Sequence, residues 1–372
     1  MPDRQWRQEL VPKARRVVVK IGTNALTDTR GRLDVKFLGD MAGQITDLVH
    51  AGVGVTVVSS GAVGAGIAEL DLSGRPKTLP MLQATAAVGQ GQLMRHFYDA
   101  FGRRGLKVAQ ILVTRDTFEN RTQYLNIRNT IAALHDVSAV PIVNENDSVA
   151  VDELRFGDND IIAAHITNLL RADLLVMLTT VDGVKRGAKV LDVLEDLTAA
   201  AVELPTGARS TGGSGGMAAK LQAAGTVTSA GEVAIIANAR TPDILNRLMA
   251  GERLGTLCVP AAGKMSARRR WIGHAARSAG RITVDAGAAE ALTRRGKSLL
   301  PSGVTDAVGD FDKGDTVAIV DPTGKRIARG LTNYSAEQVR AIQGLKTSQI
   351  AKALGGTKPY DEIVHRNNMT LL

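Results

Sequence analysis

The chain has 372 residues, 44% of them hydrophobic and 3% aromatic, and its 46 Lys and Arg outnumber 37 Asp and Glu for a net charge of +9. That length exceeds what one hydrophobic core usually serves, so two domains are expected, and a single cysteine, Cys258, excludes a disulfide scaffold and an all-thiolate metal site. The apolar runs fall well short of the ~20 residues a membrane helix needs, and no apolar stretch of signal-peptide length precedes the first strand pattern, so a reduced, cytoplasmic protein is expected.

Val17 to Ile21 is a short apolar run, and Gly22-Thr23-Asn24 follows at once, as at the end of a buried parallel strand. Leu38, Met41, Ile45 and Leu48 repeat at helical spacing over residues 34–50. A second strand, Val53 to Val58, runs into Ser59-Ser60-Gly61-Ala62-Val63-Gly64-Ala65-Gly66. A helix over 84–101, a strand over 107–113, a helix over 126–135 and a strand over 139–143 come next, the last running into Asn144-Glu145-Asn146-Asp147. Residues 159–170 read as a helix and Leu174 to Leu178 as a strand ending in Thr179-Thr180. A helix starting at Met217 and a strand over 232–236 complete the alternation. Strands that are continuous Val, Ile and Leu runs are covered on both faces by helices, which makes this an α/β sandwich around a mainly parallel sheet. Polar residues gather just after the strand ends, the edge where such sheets bind ligands.

The charge is uneven. Residues 1–263 carry 28 basic and 27 acidic side chains, net +1, whereas 264–372 carry 18 and 10, net +8. The basic second part reads either as a nucleic-acid contact or as a solvated surface. The stretch from Ala261 through Arg270 is small, flexible and charged, as a linker is. The expected domains are therefore 1–260, a linker at 261–276, a small β-rich domain at 277–356 and a tail at 357–372. In the second, Val317 to Ile319, the Asp321-Pro322-Thr323-Gly324 turn and Ile327 read as a β-hairpin.

Three glycine-rich segments allow backbone amides to approach an anion: Gly22, Gly61 with Gly64 and Gly66, and Gly212 to Gly216. None has P-loop spacing, and the first turn lacks the dinucleotide fingerprint. Lys20 ends an otherwise apolar strand, where a charge is costly unless an anion pairs with it; the alternative is a lysine just clearing the sheet edge. Lys220 follows Gly215-Gly216-Met217 near a helix start. Two such lysines beside glycine-rich turns point to polyphosphate. The acidic and amide clusters at 144–147 and 158–160 suit an ammonium substrate, a lysine partner or Mg²⁺, with Asp158 or Asn159 alternatively capping the helix. The six histidines are scattered without ligand spacing, His135 and His165 falling at packed helix positions. No nucleophile elbow appears, and Cys258 reads as a core thiol.

Val17-Val18-Val19-Lys20-Ile21-Gly22-Thr23-Asn24, Ser59-Ser60-Gly61-Ala62, Pro141 through Asp147, Phe156-Gly157-Asp158-Asn159-Asp160 and Gly215 through Lys220 resemble the glutamate 5-kinases of the amino acid kinase superfamily. Tyr124 and Ile127-Arg128-Asn129-Thr130 fit the same pattern. Gly280 to Ala288, Lys297 to Val304, Gly314 to Val320 and Ile327 to Leu331 resemble a PUA domain, a small β-rich fold that often binds RNA. The resemblance implies phosphorylation of the γ-carboxylate of L-glutamate by ATP with Mg²⁺ held by the nucleotide phosphates, the first step of proline synthesis. It also implies a homo-oligomer, proline as feedback inhibitor and an RNA contact through the PUA domain. The roles implied are Lys20 and Lys220 on the transferring phosphates, Asp160 orienting both lysines, and Gly22 and Gly61 amides on phosphate or carboxylate. Asp158 assists or caps. Ser60, Asn144 and Asn159 would receive substrate carboxylate oxygens and Asp147 the α-ammonium, while Thr179, Thr180, Gly215, Gly216 and Met217 adjoin the nucleotide. The sequence departs from that family after Leu178: Thr180 stands where an aspartate is usual, and a later Tyr and Asp-Pro are missing, which leaves the nucleotide preference open.

The chemistry agrees with the residues. A γ-carboxylate with a pKa of ~4.3 is already ionised at neutral pH, so the nucleophile needs no general base. What must be overcome is repulsion between two anions, by fixed positive charge, amide donors and alignment. The alternatives are a related kinase of acetylglutamate, aspartate, carbamate or UMP, and an RNA-binding protein with the first domain as a scaffold. A free α-ammonium calls for Asp147, which an acetylated amine or carbamate does not.

Overall fold

Val17, Val19 and Ile21 are fully buried and join a core with Leu38, Met41, Ile45 and Phe97, while Val18 and Lys20, by the two-residue period of a strand, face the opposite side. This strand, β1 (Arg16–Ile21), is the middle of the larger sheet in a computed structural model that describes residues 6–28, 32–149, 159–195, 197, 216–260, 278–356 and 360–372. The chain divides into two compact units, one of residues 1–117 and 122–264 and the other of residues 118–121 and 265–372.

In the first unit β2 (Gly54–Ser59), β3 (Lys107–Val113), β4 (Ala139–Glu145), β5 (Leu174–Thr179), β9 (Val233–Asn238), β10 (Thr256–Cys258) and β8 (Val193–Leu194) complete an eight-stranded sheet in the order β3-β4-β2-β1-β5-β9-β10-β8. Between β5 and β8, β6 (Lys185–Arg186) and β7 (Lys189–Val190) form a separate two-stranded ribbon. All neighbours from β3 to β9 are parallel, and only the β9–β10 step is antiparallel. The central strands are buried along almost their whole length, whereas β3 at the edge alternates exposed and buried residues. Helix Val35–His50 is started by the Asp34 carboxylate, which accepts from the Phe37 N–H at 3.0 Å. His135, at the end of helix Arg121–Asp136, packs its ring on Gly54 and places Nε2 3.0 Å from Thr56 Oγ1. Cys258 is fully buried, and burial pushes its thiol up to about 12.

The structure corrects one glycine reading. Gly64 and Gly66 are not part of an anion-binding turn; they lie inside helix Ala62–Glu69, and only Gly61 remains at the turn, with φ +109°. Helix Ala62–Glu69 crosses helix Leu79–Gly102 with backbones in contact: a Cβ on Gly66 would strike the Thr85 carbonyl, and one on Gly89 the Ala62 carbonyl. The small residues are there for close helix packing.

The second unit is built on a five-stranded sheet ordered β12-β11-β13-β14-β15, with β11 (Gly280–Val284), β12 (Val304–Gly309), β13 (Thr316–Val320), β14 (Arg326–Thr332) and β15 (Val364–Leu371). The expected hairpin is β13–β14, its turn closed by the Asp321 carboxylate, which accepts from the Thr323 and Lys325 amides, and by Gly324 at φ +84°. Residues 357–372, read from sequence as a tail, contain β15, which pairs antiparallel with β14 and buries Val364, Met369 and Thr370. An edge strand of mixed polarity carries a weak pattern, which is why it was not legible. The core beneath gathers Ile282, Val317, Ile319, Tyr334 and Ile342. The expected linker at 261–276 lies outside the described residues.

Candidate active site

Because β4, β2, β1, β5 and β9 run the same way, their carboxyl ends share one edge. That edge carries Lys20 from β1 and Gly22 just after it, Ser60 and Gly61 just after β2, Asn144 from β4 and Thr179 from β5. Helix Asn159–Leu170 begins there with Asn159 and Asp160, and helix Met217–Thr228 brings Lys220 as its fourth residue.

Lys20 Nζ lies 2.6 Å from Asp160 Oδ1, and Lys220 Nζ lies 2.8 Å from Asp160 Oδ2. All three side chains are buried, Asp160 completely. Burial alone would raise the Asp160 pKa, but the two ammonium groups outweigh it and hold the carboxyl below the usual carboxylate value. One carboxylate between two ammonium groups leaves the three side chains with a net charge of +1. A Cβ on Gly22 would make only an ordinary contact with Lys20 Nζ, at 3.5 Å. The Gly22 N–H is directed to the Leu178 carbonyl at 3.3 Å.

One residue before Asp160, Asn159 is the first residue of its helix, and its side chain does not cap it. Asn159 Nδ2 reaches Ser60 Oγ at 2.7 Å, Asn144 Oδ1 at 3.0 Å and the Ser59 carbonyl at 3.1 Å. Asn144 in turn donates from Nδ2 to Gln90 Oε1 at 2.8 Å. The Asn159 amide nitrogen is therefore committed to bracing Ser60 and Asn144, and the donors left to a substrate belong to those two. Ser60 is partly exposed and Asn144 buried.

The other expected residues are distributed along the same edge. Gly216 caps the Lys220 helix in extended conformation and Met217 starts it. The Thr179 carbonyl accepts from the Ala239 N–H at 2.7 Å, and Thr180 is exposed. Beyond them Asp182 accepts from Asn238 Nδ2 at 2.9 Å, and Gly183, with φ +153°, lies where a Cβ would crowd Thr256 and Val190, so this pair holds the turn. Asp147 is half-buried in the turn after β4. Asp158 and Gly215 lie outside the described residues. Gln90 was not anticipated. Its signal was available, as a polar residue on the buried stripe of helix Leu79–Gly102 with Ala86, Leu93, Met94 and Phe97.

The pattern of the amino acid kinase family matches residues 15–238, and that of the PUA domain matches residues 280–354. The chain is 46% identical to the glutamate 5-kinase of Citrifermentans bemidjiense, over 98% of this chain and 100% of that protein. It is 45% identical to the glutamate 5-kinase of Moorella thermoacetica, over the full length of both, and 43% identical to that of Caldanaerobacter subterraneus subsp. tengcongensis, over 96% and 98%. With two buried lysines clamped on one aspartate at the strand edge and the family pattern spanning the same residues, the chain belongs to the amino acid kinase family.

Proposed function

We propose that the chain phosphorylates the γ-carboxylate of L-glutamate with ATP, giving L-glutamyl 5-phosphate for proline biosynthesis. The observation that carries the reading is the Lys20–Asp160–Lys220 cluster, set one residue along from the amides that brace Ser60. The attacking carboxylate is ionised before it binds, so no residue is needed to take a proton. Lys20 and Lys220 supply fixed positive charge to the transferring and leaving phosphates, and Asp160 keeps the two ammonium groups from moving apart. Ser60 and Asn144 donate to the acceptor carboxylate, with Asn159 holding both in place, and Asp147 pairs with the α-ammonium. Gly61, Thr179, Thr180, Gly215, Gly216 and Met217 border the phosphates and nucleotide. Each Asp160 oxygen is paired with a lysine, and no cluster of three metal-ligating side chains is found among the described residues, so Mg²⁺ would be held by the ATP phosphates. When bound, that ion neutralises further phosphate charge. Proline as inhibitor, a homo-oligomeric state and a cytoplasmic location belong to the same proposal.

The test is ADP release with glutamate, aspartate and acetylglutamate compared, with and without proline. Turnover confined to glutamate and suppressed by proline is expected; equal turnover of acetylglutamate would remove the ammonium role of Asp147 and favour a related kinase.

A second reading concerns the basic unit alone. It contains a cavity of about 710 Å³ whose lining includes Lys297, His365 and Arg366 together with Asp285 and Glu362. The net charge of +8 over residues 264–372 supports an RNA contact through the PUA domain. Filter binding at two salt concentrations tests it: affinity that falls steeply with salt is expected, and no binding at low salt would remove it.

A further inference from the structure

Two backbone groups fix the direction of the side-chain amides beside the lysine cluster. The Glu145 N–H can only donate, and it donates to Asn144 Oδ1 at 2.9 Å. Asn144 must then present Nδ2 to Gln90, whose Oε1 accepts at 2.8 Å. At the other end the Ser59 carbonyl can only accept, and it receives Asn159 Nδ2 at 3.1 Å. The same nitrogen lies 3.0 Å from Asn144 Oδ1 and 2.7 Å from Ser60 Oγ. No amide in this series can be reversed without setting oxygen against oxygen or nitrogen against nitrogen. Since the Ser60 oxygen accepts, its own proton is left to donate elsewhere.

Gln90 is the far end of the series. It is 9% exposed, on the apolar stripe of its helix, and its Nε2 is buried with no acceptor among the described residues. A buried amide with one end unmet is destabilising, and an aliphatic side chain would suit that stripe better. The contact Gln90 does make is to Asn144.

We infer that Gln90 is a positioning residue for the acceptor carboxylate, locking the Asn144 amide and, through Asn159, aiming the Ser60 hydroxyl proton at the substrate. This rests on the glutamate reading above. Without the Gln90 oxygen, Asn144 Nδ2 loses its partner and the Asn144 side chain is held only at Oδ1, by the Glu145 N–H and Asn159 Nδ2, so its amide is less tightly placed. The donors for the carboxylate are then no longer pre-set, while the lysine cluster is untouched.

The test is steady-state kinetics of Gln90→Met, which keeps length and bulk but removes the acceptor. The KM for glutamate should rise about tenfold, the scale of one lost hydrogen bond, with the KM for ATP moving less than about twofold. In an Asn144→Ala background the same change should add nothing further, because the residue it acts through is gone. Should Gln90→Met be insoluble, Gln90→Leu reads the same split. A wild-type KM for glutamate, a parallel rise in both KM values, or full additivity with Asn144→Ala would each overturn the proposal alone. A wild-type chain that leaves glutamate unphosphorylated would overturn the reading beneath it and the proposal with it.

Discussion

Lys20 and Lys220 are 200 residues apart in the chain and grip opposite oxygens of the same carboxylate, Asp160, at 2.6 and 2.8 Å. The arrangement fixes two positive charges side by side in a buried setting where they would otherwise repel, and Asp160 can do this only as an anion. That follows from its lowered pKa, the ammonium pair prevailing over burial.

Each lysine is expected to act on the chemical step more than on binding. Lys20→Ala and Lys220→Ala should lower kcat by about 10²–10³-fold, the range seen when one transition-state charge donor is removed. Asp160→Asn should also lower kcat, because the neutral amide no longer holds the ammonium groups together. Steady-state kinetics in both substrates checks this, and a kcat near wild type for Lys20→Ala would take that residue out of the phosphoryl path.

Asp147 is assigned to the α-ammonium, so its loss should be felt by one substrate only. Asp147→Ala is expected to raise the KM for glutamate by tens of times more than the KM for ATP, roughly the worth of a charged hydrogen bond. Equal effects on both would sink the role.

The crossing of helices Ala62–Glu69 and Leu79–Gly102 makes a paired prediction on stability. Gly89→Ala drives a methyl into the Ala62 carbonyl and should destabilise by about 1–3 kcal/mol or more. Gly91→Ala, on the same helix with open space around it, should be neutral or stabilise by up to about 1 kcal/mol. Urea unfolding of the two variants compares them directly, and equal effects would show that the backbones do not meet there.

His135 gives a pH dependence with a definite sign. Burial lowers its pKa from the ordinary 6.5, the hydrogen bond to the Val55 carbonyl opposing in part. The unfolded chain thus binds the proton more readily than the folded one. Its contribution to stability is full above about 6.5 and shrinks as pH falls through that value toward the folded pKa. His135→Gln should therefore flatten the fall in unfolding free energy as the pH drops below about 6.5. A slope identical to wild type would mean that the imidazole titrates normally in the fold.

The amino-acid sequence by itself determined the alternation of strands and helices, because burial leaves a local record: the apolar runs Val17 to Val19 in β1 and Leu174 to Leu178 in β5, and the 3.6-residue spacing of Leu38, Met41, Ile45 and Leu48. It also marked Lys20 as anomalous, a charge in a buried strand, and placed Asp160 at the start of a helix. The tertiary structure decided which of these meet. Lys220 reaches Asp160 because their helices pack together on one face of the sheet; Gln90 reaches Asn144 from a helix with its own hydrophobic pattern; and β15 takes its place only by pairing with β14. Such contacts join residues tens to hundreds of positions apart. They are set by packing and by strand order, and nearest-neighbour patterns along a chain encode neither.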